Sequence, residues 1–173
     1  MKIHAYLLSL FAVLLFGLAA AQPAVAQDKI LKGSDIAPTL LPDHVYFKGQ
    51  TAPTQPRNSG GVKFADGTYF LAAMVDTSGY TSGVREKYQA YLITDNPIEI
   101  GGQKLPAGAY GIGWIAGQKF VVQDLGGHDV ITVDSKHDAD MKRPMPLQVV
   151  SGSSAGTYLL YGGRDSVEFK RAQ

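Results

Sequence analysis

The sequence predicts an all-β chain folded as an antiparallel β-sandwich, with an eight-stranded β-barrel as the alternative. Short runs rich in β-branched and aromatic residues recur along the chain, parted by Gly, Asn, Asp and Pro turn signals at close spacing. The stretch from Ile98 to Ile115 reads as a hairpin, a Pro-Ala-Gly corner and a strand carrying Tyr110, Ile112 and Trp114 on one face. One local form also appears three times where a strand starts: Asp66-Gly67-Thr68-Tyr69, Ala107-Gly108-Ala109-Tyr110 and Ala155-Gly156-Thr157-Tyr158. The Gly permits a positive φ at the corner, and the Tyr can bury its ring while its hydroxyl reaches nearby backbone. Unequal spacings between the three argue against a solenoid or propeller.

The first 26 residues read as a leader. Lys2 supplies a positive start, Leu7 to Ala21 is apolar, and Ala24-Val25-Ala26 offers small residues for a signal peptidase. Cleavage is expected after Ala26, with Ala19 to Ala21 as the other site. The apolar run is shorter than the ~20 residues of a spanning helix, so a membrane anchor is the weaker reading. The chain is therefore expected to be exported, to the periplasm or the medium, with no membrane span after cleavage. It has no Cys, which excludes a lipid-linked leader and any disulfide. Stability must come from apolar burial. The 16 Lys and Arg against 15 Asp and Glu become 15 against 15 once Lys2 is removed. Such a neutral chain disfavours nucleic acid and anionic membranes as partners.

Residues 27–43 have little periodicity and are expected to form an extended arm, with a short turn near Ser34-Asp35. A single β domain is expected over 44–173. His44 to Lys48 is a short strand. Gly49 to Gly61, marked by Pro53, Pro56, Asn58-Ser59 and Gly60-Gly61, reads as a long polar loop. Val62 to Phe64 leads into the Asp66-Gly67 turn. Thr68 to Asp76 is apolar on both faces, which predicts a central strand covered on both sides. Val84 to Ile93 fits a helical stripe through Val84, Tyr88 and Tyr91, but its alternation favours a strand. Strands then follow at Gln118 to Val122, His128 to Val133, Leu147 to Val150, Thr157 to Tyr161 and Ser166 to Phe169. Between them, Asp134 to Pro146 reads as a loop or one helical turn.

The run Ile100-Gly101-Gly102-Gln103-Lys104-Leu105-Pro106-Ala107-Gly108-Ala109-Tyr110 resembles a signature of exported bacterial β-sandwich families. In these a glycine turn precedes Leu/Val-Pro-Ala-Gly-x-Tyr. They include domains of unknown function and peptidase-associated, transthyretin-like modules. The likeness covers about twenty residues. It implies a secreted sandwich and carries over no catalytic residue.

Three patterns bear on chemistry. Gly152-Ser153-Ser154-Ala155-Gly156 matches the nucleophile-elbow pattern, but that device needs a following helix and a strand follows here. His128, Asp134, His137, Asp138 and Asp140 form the densest group of potential metal ligands, set against a solvated loop whose Asp residues cap turns. Tyr110 and Trp114, opposite the bare Gly111 and Gly113, would form a stacking platform for a flat ligand if exposed, and core if buried. No cofactor is expected and no catalytic residue is assigned. The first functional reading is a non-enzymatic exported module that binds an envelope or extracellular partner or a glycan. A carrier with an apolar void lined by Tyr69, Leu71 and Ala73 is the second. A metal-dependent hydrolase is the third.

Overall fold

The computed structural model describes residues 27–36 and 39–173. The expected leader lies outside the described residues. Two antiparallel sheets pack face to face and do not close into a barrel. The larger runs in the order β1 (Lys29–Lys32), β3 (Gln50–Lys63), β4 (Tyr69–Val75), β5 (Ala90–Thr94), β8 (Gly108–Ile115), β9 (Lys119–Gln123) and β10 (Asp129–Asp134). Strand β2 (His44–Phe47) pairs with β3. The smaller runs β12 (Leu147–Ser151), β13 (Thr157–Gly162), β14 (Asp165–Arg171), β6 (Ile98–Ile100) and β7 (Gln103–Leu105), with β11 (Lys136–His137) also on β14.

Alternation along each strand builds the core. The larger sheet turns Val62, Phe70, Leu92, Ile112 and Val122 inward to meet Leu147, Leu160, Val167 and Phe169 of the smaller. Phe70 and Phe169 stack across the interface with ring centroids 3.9 Å apart. Each such side chain contributes on the order of 1.5–3 kcal/mol by leaving water, the burial that a chain without disulfides needs. Strand β4 is covered on both sides as its sequence predicts. Phe70 and Ala72 face the other sheet, while Leu71 and Ala73 face Leu31, Ile36 and Leu41.

The structure refines one expectation and corrects two others. The expected extended 27–43 arm, with its turn at Ser34-Asp35 present as the helical turn α1 (Gly33–Ile36), is docked into the fold: β1 pairs with β3, and Leu31, Ile36 and Leu41 are buried. The expected polar loop at Gly49 to Gly61 is most of β3. Its ladder shifts register between Thr54 and Ser59, which leaves Pro56 in the bulge. Pro53 needs only its carbonyl, which accepts the Asp76 N–H at 2.9 Å. Gly60 is a point of close approach, since a Cβ there would lie 2.8 Å from the Val149 nitrogen. Finally, 84–93 divides. Helix α2 (Ser82–Lys87) ends at Tyr88, and β5 begins at Ala90. Both periodicities were present because Tyr88 and Tyr91 serve the same outer cluster with Phe47 and Tyr80.

The chain also changes sheets within one extended run. Strand β10 lies in the larger sheet and β11 in the smaller. The buried Ser135 between them donates its N–H to the Gln118 carbonyl at 2.8 Å.

Candidate functional site

The two outer faces of the sandwich differ. That of the larger sheet is closed. The segment Leu31 to Leu41 covers Leu71 and Ala73, and β2 with the 76–88 connection covers Val75 and Tyr91. The bare strip of β8 is filled as well. A Cβ on Gly111 would sit 2.9 Å from the Tyr88 ring, and one on Gly113 would sit 2.8 Å from the Lys87 carbonyl carbon. Phe47 and Tyr88, stacked at 3.8 Å, occupy the place that a flat ligand would have taken.

On the other side of β8, Ile112 is fully buried, and Tyr110 and Trp114 pack half-buried against the main core. Trp114 meets Phe120 edge-on at 5.1 Å and leaves its indole Nε1 buried without a hydrogen-bond partner among the described residues. Tyr110 donates its hydroxyl to the Pro106 carbonyl at 3.0 Å, four residues back, as the corner pattern predicts. Tyr110 thus closes a corner and Trp114 extends the core row, both with part of their surface still exposed.

The five candidate metal ligands are dispersed. His128 sits in the β9–β10 turn, where its backbone N–H and ring both bond Asp124. Those bonds hold the Asp124 carboxyl below the ordinary carboxylate range. Asp134 ends β10 and pairs with Lys119. His137 bonds Asp165 at 2.8 Å as its cross-strand neighbour. Asp138 accepts the backbone N–H groups of Asp140 and Met141, which is turn capping. Among the described residues no three His, Asp or Glu side chains converge to hold a metal ion.

Four of these five nevertheless share a place. Two adjoining clefts cross the outer face of the smaller sheet, of about 240 Å³ and about 500 Å³. Asp134 lines the first, and His137, Asp138 and Asp140 line the second. Both share the floor residues Leu159, Ser166 and Glu168 and the flanking Lys136. The charges are unevenly matched. Glu99 pairs with Lys170 at 3.2 Å, Asp134 with Lys119 and His137 with Asp165. Among the described residues Asp138, Asp140 and Glu168 have no basic partner within ion-pair distance, against Lys136 alone on the basic side. The groove therefore sets Leu159 beside the polar Ser166 and Glu168 at its floor, with these unpaired carboxylates outnumbering Lys136 around it.

Sequence reasoning found the acidic wall but not the floor. The signal lay in comparing neighbours. Strand β14 alternates Ser166, Glu168 and Lys170 outward with Val167 and Phe169 inward, whereas β13 is apolar on both faces. Leu159, with Tyr161 two residues on, breaks the polar outer face. The Gly152 to Gly156 run is the β12–β13 turn, closed by Gly152 N–H on the Thr157 carbonyl at 2.8 Å. A strand follows it, so Ser154 lacks the helix that a nucleophile elbow requires.

Compared with the known protein families, the curated proteins and the solved structures, the chain matches none.

Proposed function

We propose that the protein is an exported, non-enzymatic β-sandwich module that binds an envelope or extracellular partner through the outer face of its smaller sheet. The observation that carries this reading is Leu159, partly exposed at the floor of two joined clefts on a face that no other segment covers among the described residues. Leu159 set among unpaired carboxylates suits a partner segment that presents an apolar group between cationic ones. The export part of the proposal rests on the leader-like first 26 residues. A carrier function has less support, because Leu71 and Ala73 pack against Leu31, Ile36 and Leu41 where a void was expected.

The test compares retention of the exported protein on isolated envelope fractions for the wild type, Leu159→Lys and Tyr46→Lys. Tyr46 is 51% exposed on β2, away from the groove. Loss of retention in Leu159→Lys with retention kept in Tyr46→Lys is the expected result. Equal retention of all three overturns the groove as the docking face.

A further inference from the structure

We propose that Gln27, as the first residue of the processed chain, closes on itself to a pyroglutamyl end. The inference rests on processing after Ala26 and concerns the residue so released. Cleavage behind Ala24-Val25-Ala26 frees the α-amine of Gln27. A glutamine in that position carries its own nucleophile and electrophile. The α-nitrogen attacks the side-chain Cδ, the N–Cδ bond forms and the Cδ–Nε2 bond breaks. The carboxamide nitrogen departs as ammonia, taking the proton that the α-nitrogen gives up. Atoms balance without an oxidant, a metal or a second substrate.

The fold leaves this residue free to react. Its neighbour Asp28 is clamped on both carboxylate oxygens: Oδ1 accepts the Ala65 N–H at 2.8 Å and Oδ2 accepts the Tyr158 hydroxyl. Strand β1 begins at the next residue, Lys29. The chain is thus held from Asp28 onward, while Gln27 is exposed and makes no side-chain hydrogen bond to another described residue. Ring closure breaks no side-chain hydrogen bond among the described residues. Gln27 lies at the lip of a wide cleft whose far side is the serine-rich β12–β13 turn. Closure therefore replaces an ammonium beside Lys29 with a small neutral ring facing that turn, and removes the free amine that an aminopeptidase needs.

The test is the mass of the amino-terminal peptide from protein recovered after export, with amine labelling done before digestion so that closure during work-up is not counted. The expected result is a peptide that begins at Gln27, is lighter by one ammonia and carries no α-amine label. Gln27→Ala is expected to take the label. A labelled, full-mass peptide beginning at Gln27 overturns ring closure and leaves the processing site standing. A chain beginning at any other residue overturns both.

Discussion

The Tyr158 hydroxyl donates to Asp28, a residue 130 positions away in sequence. With this bond the last hairpin holds down the first strand. Tyr158 is one of the three tyrosines that follow a glycine corner, and its bond ties the smaller sheet to the start of the larger. Tyr110 bonds locally to Pro106, whereas Tyr69 lies beneath Lys63, whose ammonium is 5.7 Å from the ring centroid. One sequence device has three different endings.

Tyr158→Phe is expected to cost about 1 kcal/mol, below the range for a buried bond to a charged group because Asp28 is exposed and solvent screens it. Asp28→Ala is expected to cost more. It strands the buried Tyr158 hydroxyl and also removes the acceptor for Ala65. Urea denaturation of the two single variants and the double variant checks this, and additive losses would show that the pair is not coupled.

Alkaline pH is expected to unfold the protein. Burial lifts the phenols of Tyr80, Tyr88, Tyr91, Tyr110 and Tyr158 above their ordinary value of 10.0, with the Asp28 carboxylate adding to the effect at Tyr158. Above that value the native state holds more protons than the unfolded chain, so stability falls as pH rises. Their contribution is whole below pH 10.0 and is lost as pH climbs toward the raised folded values. Chemical denaturation across that range, followed by tyrosinate absorbance, should show ionisation and unfolding together. Ionisation of Tyr80, Tyr88, Tyr91, Tyr110 and Tyr158 with the fold intact would refute it.

Tyr88 is fully buried and its hydroxyl has no hydrogen-bond partner among the described residues. Removing an unsatisfied buried hydroxyl while keeping the ring in its stack on Phe47 should stabilise the fold. Tyr88→Phe is expected to gain about 1 kcal/mol, read as a higher denaturation midpoint at unchanged slope. A clear loss would mean that the hydroxyl is hydrated.

Gly113→Ala is expected to be severe. Its Cβ would meet the backbone carbonyl of Lys87, which cannot swing away as a side chain can. A loss of about 3 kcal/mol is expected, at the upper end of overpacking costs, together with displacement of α2. Gly117→Ala, in a turn with open space around it, is the control for mere loss of a glycine, although its φ of 78° carries a strain of its own. Equal midpoints for the two would sink the close-packing argument.

The fold was legible wherever a strand's neighbours were written into its own pattern. Thr68 to Asp76 declared its double burial through the unbroken run of apolar and aromatic side chains from Tyr69 to Val75, and the glycine corners placed β4, β8 and β13 to within a residue. Strand β3 was not legible, because prolines and paired glycines mark a loop and a bulged, close-packed strand alike. Only the packing of Gly60 against Val149 separates the two. The 84–93 segment failed for a related reason. Its helix is a single short element whose apolar residues continue into the next strand, so neither period ran long enough to dominate. The site was half legible: Asp134, His137, Asp138 and Asp140 stood out as a cluster. That they line a groove rather than gather round an ion depends on cross-strand partners, Lys119 and Asp165, which sequence spacing does not reveal.

Strand β14 lies inside its sheet, between β13 on one side and β6 with β11 on the other, although it is the final strand of the chain. The hairpin of β6 and β7, made some sixty residues earlier, has no ladder to join until Phe169, Lys170 and Arg171 arrive. A ribosome or a translocation pore releasing this polypeptide from its amino end would hold back the keystone until the last moment. Half of the sandwich stays unassembled during that interval, and a stop codon only a few residues early would leave it so.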